Sequence, residues 1–128
     1  PDEPRDKKLE QFYGRLLAVL RHPVVREGQW QLLECAPAWE GNWTSDSFVA
    51  YAWTGDDGSR WLIAVNYSDH NSQCYVSVPW TDLEGRVWQL RDRMGEAIYE
   101  RGGDDLVRQG LYLDMPAWAY HVFEVQRA

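Results

Sequence analysis

Near its end the chain reads GLYLDMPAWAYHVFEV, from Gly110 to Val125, and Pro116 in the middle of that stretch constrains the fold more than any other residue. Before it, Leu111 and Leu113 alternate with Tyr112 and Asp114. After it, His121, Phe123 and Val125 alternate with Val122 and Glu124. Side chains of a strand point to its two faces in turn, so a period of two marks a strand with one buried face. Proline has no N–H to give to a ladder and interrupts pairing between the two runs. Two strands joined by a proline corner can leave one sheet and enter another. A chain that ends this way closes a sandwich.

The rest of the chain supplies the partners. KKLEQFYGRLLAVLRHP places Leu9, Phe12, Tyr13, Leu16, Leu17 and Leu20 at helical spacings on one face, with Gln11, Arg15 and Arg21 on the other. Pro23 ends that helix, because proline cannot continue one and restricts the residue before it. Beyond Pro23 the period changes from 3.6 to 2. Strands are predicted at 29–35, 47–53, 60–67, 73–78, 86–92, 110–115 and 119–125. RWLIAVNY (60–67) is nearly continuous in apolar residues and reads as a central strand. Turn signals separate the runs at Gly55-Asp56-Asp57-Gly58, Ser68-Asp69-His70-Asn71, Glu84-Gly85 and Gly102-Gly103-Asp104. CAPAWEGNWTSDS (35–47) has no clear period. The expectation is an all-β fold: an antiparallel β-sandwich with Greek-key connections over 24–128, preceded by one N-terminal α-helix within 1–23.

A chain of 128 residues fits one domain and buries roughly two thirds of its unfolded surface, enough for a core without staples. The formal net charge of -7 gives no electrostatic footprint for a phosphate backbone, which argues against nucleic acid as a partner. No apolar run approaches the ~20 residues of a membrane span, and no basic block suggests a membrane surface. The first residue is Pro1 and no signal-peptide pattern follows, which reads as a processed or excised piece of something longer. The compartment therefore stays open, with the cytoplasm slightly favoured. Cys35 and Cys74 are too few for a disulfide scaffold and wrongly spaced for a metal knuckle. Buried free thiols are the preferred reading, a disulfide the other.

The chemistry-bearing residues are scattered. There is no Gly-rich phosphate loop, His-Glu-x-x-His, Cys-x-x-Cys or Gly-x-Ser-x-Gly. His22, His70 and His121 share no ligand spacing, so no metal site and no cofactor is expected, and His121 reads as a half-buried structural histidine. Asp56-Asp57 and Asp104-Asp105 sit among glycines, where aspartate bonds to local backbone amides. A polar turn is not the cleft that a glycosidase needs around its two carboxylates. NWT (42–44) and NYS (66–68) match the glycosylation pattern, but Asn66 at a strand end is read as satisfying backbone. Trp53, Trp61 and Trp88 fall within strands and belong to the core or a sheet face. Trp80 and Trp118, each beside a proline, are expected to cap the sandwich. Trp39 and Trp43 lie in the aperiodic loop, where a tryptophan can cover the core edge, contact a neighbouring domain or offer a flat face to a sugar ring.

FYGRLLAVLRHPVVREGQWQLLE, WLIAVNYSD and LRDRMGEAIYERGGDDLVRQGLYLDMPAWAYHVFEV, in that order, make the chain resemble the C-terminal part of the α-amylase family of glycoside hydrolases over nearly its whole length. In that family a catalytic (β/α)8 barrel is followed by a C-terminal β-sandwich, domain C. The resemblance implies that the helix at 9–21 corresponds to the last barrel helix and 24–126 to domain C. The family's catalytic Asp, Glu and second Asp belong to barrel strands, and no segment here matches them. The expected function is therefore non-catalytic. The sandwich would pack on and stabilise the barrel of an α-glucan-acting parent, with the stripe Leu9, Phe12, Tyr13, Leu16, Leu17 and Leu20 against that barrel. Self-association through the same stripe is a further expectation when the barrel is missing. The rival readings are a carbohydrate-binding module that holds α-glucan on Trp39 and Trp43, and a general protein-interaction sandwich.

Overall fold

The computed structural model describes residues 28–128 together with positions 11, 14, 15, 17, 18 and 21. Strands β1 (Gln29–Leu33), β3 (Phe48–Thr54), β4 (Arg60–Asn66), β6 (Val87–Asp92), β7 (Ile98–Gly102) and β9 (Tyr120–Arg127) form a six-stranded sheet in the order β1-β3-β4-β9-β6-β7. The two-residue β2 (Cys35–Ala36), with β5 (Ser72–Val76) and β8 (Leu111–Met115), forms a three-stranded sheet in the order β2-β5-β8. A 3-10 turn (Thr44–Ser47) precedes β3, and a six-residue helix, α1 (Gly103–Arg108), joins β7 to β8. Every registered strand pair is antiparallel.

The proline corner does what the alternation on either side of it predicts. Strand β8 ends in the small sheet, and β9 enters the middle of the large one, between β4 and β6. Strand β4 is central, between β3 and β9, and its continuous apolar run is needed because both of its faces meet apolar neighbours. On the inner face, Ala50, Ala52 and Ala64 let the sheets approach, and Leu62, Leu90, Leu111, Met115 and Phe123 fill the space between them. Each of those large side chains contributes roughly 1.5–3 kcal/mol by leaving water.

The structure corrects three boundaries. The strand predicted at 29–35 divides at Glu34: Leu33 still pairs with Ala50 in the large sheet, while Cys35 pairs with Val76 in the small one. Gly102-Gly103-Asp104 is not a turn. Gly102 ends β7 and Gly103 opens α1, whose first turn carries Asp104 and Asp105 where negative charge favours a helix start. Strand β7 itself was not anticipated. It is an edge strand with three exposed residues at its start, so it lacks the buried alternation that marks a strand.

Cys35 and Cys74 are free thiols, Cys74 fully buried and Cys35 half-buried. Their side chains hydrogen-bond. That contact lowers the Cys35 thiol pKa and, with burial, pushes that of Cys74 up. Asn66 is fully buried and its Nδ2 donates to the carbonyls of His70, Met115 and Pro116, the backbone role its position suggested. Asn42 is buried as well, bonded to Thr44 and to the amide of Ala38.

At the amino-terminal end, positions 11, 14, 15, 17, 18 and 21 have helical backbone. Leu9, Phe12, Tyr13, Leu16, Leu20, His22 and Pro23 lie outside the described residues.

Candidate functional site

The outward face of the six-stranded sheet is the feature that a self-contained sandwich would not need. Register places Trp30 opposite Trp53 and Trp53 opposite Trp61, one row running across β1, β3 and β4. The next row is Leu32, Tyr51, Ile63 and Val122, across β1, β3, β4 and β9. Alternation puts both rows on the side away from the core, because the residues that alternate with them, Ala50, Ala52, Leu62 and Ala64, face inward. Trp61 is buried there with Met94 and Val122, and Trp53 and Ile63 pack against them as a second apolar cluster. Towards β1 the cover runs out: Trp30 is 61% exposed and Leu32 65%. Trp30 meets Tyr51 edge-on at 5.6 Å. Large apolar side chains in continuous rows, open at one side, are the usual mark of an interaction surface.

The helical residues reach the edge of this face through Arg15. Arg15 donates from Nη1 to the Met94 carbonyl at 2.8 Å and from Nη2 to Glu96 at 2.6 Å. Arg15 and Ala18, with Trp61, Asp92, Ala97 and Ile98 among others, line a cleft of about 310 Å³. Sequence periodicity put Arg15 on the polar face, opposite the leucine stripe, and Arg15 is the side chain that reaches the sandwich, while Gln11, Gly14, Ala18 and Arg21 are exposed. Successive helical residues are about 100° apart, so Leu17 lies roughly 200° round from Arg15. Leu17 is 50% exposed.

The loop tryptophans separate. Trp39 is 52% exposed and has no ring partner among the described residues, whereas Trp43, 70% exposed, packs on the His70 imidazole at 5.0 Å. Trp80 is buried and donates from Nε1 to the Thr54 hydroxyl, as a cap should. Trp118 does not cap: it is 56% exposed, and its φ of 61° turns it out of the path that the strand would follow. Its ring meets Tyr67, itself 72% exposed, at 5.3 Å. Tyr67 carried no signal in the sequence, where it reads as one more aromatic residue of a strand.

Three of the four carboxylates in the two acidic pairs are engaged locally. Asp57 accepts from the Ser59 amide, Asp104 from the Gly85 amide, and Asp105 pairs with Arg108. Among the described residues no group of His, Cys, Asp and Glu is placed to hold a metal ion. His121 is half-buried, stacks on Phe123 at 4.7 Å, and its Nδ1 lies 2.7 Å from Asp92. Asp92 also accepts from the amides of Met94 and Val122. Burial alone would raise the Asp92 pKa, but the three hydrogen bonds outweigh it and hold the carboxyl below its ordinary value.

That shift has a measurable sign. The folded chain keeps Asp92 charged where the unfolded chain would protonate it. The stabilisation is complete above the ordinary aspartate pKa of about 3.9 and fades as pH falls through the lower folded value. Asp92→Asn is expected to lower stability by about 2 kcal/mol at neutral pH. It should also flatten the fall in melting temperature on acidification below about pH 4. Equal slopes for the two proteins would show that Asp92 does not titrate with unfolding.

No known protein family matches the chain, and no curated protein matches it significantly.

Proposed function

We propose that the chain is the non-catalytic C-terminal Greek-key sandwich of an α-amylase-like glycoside hydrolase, and that the outer face of its six-stranded sheet packs on the catalytic barrel of the same polypeptide. The observation that carries this reading is the pair of apolar rows on that face, closed around Trp61 and open at Trp30 and Leu32. The helical residues support it. Arg15 fastens them to the Met94–Glu96 turn beside the same face, while Leu17, the described member of the leucine stripe, points elsewhere and remains half exposed. In this reading the preceding helix belongs to both units: its polar side is clipped to the sandwich and its leucine side is given to the barrel. In this reading the sandwich supplies no catalytic group, and three of the four carboxylates in its acidic pairs bond to backbone amides and to Arg108. The α-glucan substrate class rests on the family resemblance alone.

The test uses Trp30→Lys with Leu32→Lys. Both side chains already face water, so the isolated chain is expected to lose less than about 1 kcal/mol. In the longer polypeptide, where the face is covered, the same pair of lysines buries two charges and should lower the barrel's melting temperature by several degrees, about 2 kcal/mol or more. An equally small effect in both settings would sink the reading. So would a reading frame before Pro1 that encodes no barrel.

A further inference from the structure

The end of the sandwich built by three loops has a different composition from the sheet face. The loops are 37–43, 67–71 and 116–119. Backbone stitches the last two to each other and to the 3-10 turn: the Tyr67 amide donates to Ser47, the Asn66 amide to Ala119, and the Trp118 amide to Ser68, at 2.8, 2.9 and 3.0 Å. The buried Asn66 side chain joins two of them from beneath, donating to His70 and Pro116. On this rigid base stand Trp43, Tyr67 and Trp118, 70%, 72% and 56% exposed. They form two ring contacts, Trp43 on His70 and Tyr67 edge-on to Trp118. Trp118 is the only residue other than glycine with a positive φ among the described residues, a conformation that a bulky side chain rarely adopts. An exposed indole held in such a backbone adds nothing evident to the fold.

What the end could hold follows from its groups. Every large apolar side chain exposed on these loops is aromatic: Trp39, Trp43, Tyr67 and Trp118. Around the rings are acceptors and donors of both kinds: Asp69 bonded to His70, and Asn71 and Gln73 both bonded to Asp114. No lysine or arginine occurs in 35–47, 67–73 or 110–119. That argues against nucleic acid and other polyanionic partners, whose affinity comes from cations. Asp69 and Asp114 are already shared with an imidazole and neutral amides, and among the described residues no group of acidic side chains is placed to hold a metal ion. Flat rings beside mixed hydrogen-bonding groups suit a molecule with apolar C–H faces and hydroxyl edges. We propose that this loop end is a surface site for a neutral gluco-oligosaccharide, built on Trp43 and on the Tyr67–Trp118 pair rather than on Trp39. None of its residues belongs to the outer face of the six-stranded sheet, so a sugar site here does not depend on that face meeting a barrel, while the gluco configuration of the sugar rests on the proposed α-glucan-acting parent.

The experiment titrates the intact chain with maltoheptaose and with cellohexaose, read by calorimetry and by ligand-observed NMR. Saturable binding of at least one of them in the millimolar range is expected, since only a few rings stack. Trp43→Ala and Tyr67→Ala should each weaken it about fivefold or more. Trp118→Gly relieves the backbone and removes the ring, so it should keep or raise the melting temperature while weakening binding. Trp30→Ala should leave binding unchanged. The proposal is overturned if neither sugar saturates up to about 10 mM, or if binding survives Trp43→Ala and Trp118→Gly in folded protein. It is equally overturned if a tetra-arginine peptide binds the loop end in place of either sugar.

Discussion

Gly103→Ala is expected to destabilise the protein by about 4 kcal/mol, near the upper end of what one substitution does. A Cβ at Gly103 would lie 1.6 Å from the Leu83 carbonyl oxygen and 2.5 Å from its carbon, with the Arg86 oxygen at 3.0 Å. These are backbone atoms and cannot swing aside as a side-chain tip would. The loop that carries them is also held from several directions. The Leu83 side chain is fully buried, and its carbonyl accepts from the Trp88 indole. The Gly103 amide donates to Arg86 at 2.8 Å, and the Gly85 amide donates to Asp104. The first turn of α1 therefore sits on this loop with no room for a methyl group. Gly85→Ala is the informative control. Its φ is 82° but a Cβ there meets nothing within 4 Å, so only backbone strain opposes alanine, about 1 kcal/mol. The measurement is the urea midpoint at constant m-value. If Gly103→Ala and Gly85→Ala differ by less than about 1 kcal/mol, the close approach of α1 to Leu83 is not a constraint on the fold.

The same helix shows why part of the fold was not legible beforehand. Consecutive glycines are the strongest local sign of a turn, and the helix that starts at the second of them is only six residues long. What makes that stretch a helix is tertiary: Gly103 against Leu83, and Leu106 buried in the core. Strand β7 was missed for a related reason, since an edge strand in contact with water needs no apolar alternation. Where burial is asymmetric the reading was sound. Leu111, Leu113, Phe123 and Val125 all face the core, and Pro116 lies where the chain passes from one sheet to the other. The candidate surfaces were legible only as single residues. Trp30, Trp53 and Trp61 are separated by 23 and 8 positions in sequence, and nothing local says that register will align them in one row. Trp118 was misjudged because a proline two residues earlier suggests a covering role, whereas its direction is decided by a backbone angle that no residue pattern encodes. Tyr67 gains its meaning from Trp118, a contact across the corner between β8 and β9.

Asn66 is where the fold and the loop end depend on one side chain, and Asn66→Ala is expected to cost about 3 kcal/mol, lowering the melting temperature by about 10 °C. Asn66 is fully buried. Its Nδ2 serves the carbonyls of His70, Met115 and Pro116 at 2.8, 3.0 and 2.9 Å, and its Oδ1 accepts from the Ser68 hydroxyl at 2.7 Å. Alanine would take one donor from each of the three carbonyls and the acceptor from Ser68, in a place closed to water, which is dearer than never having made the bonds. Asn66→Asp separates the amide's hydrogens from its shape. A carboxylate fits the space but aims negative charge at three carbonyl oxygens, so its pKa must rise on folding. A group whose folded pKa is raised destabilises most above that pKa, and the penalty lifts as pH falls towards the ordinary value of about 3.9. The stability deficit of Asn66→Asp relative to the parent chain should therefore shrink on acidification, while that of Asn66→Ala stays nearly constant. The loops joined by these bonds carry Tyr67, His70 and Trp118, so both variants should lose sugar binding by more than their residual folded fraction explains. A deficit for Asn66→Asp that is flat from pH 7 to about pH 4 would mean that the side chain does not face those carbonyls in solution, and the rigid base argued for the loop end would fall with it.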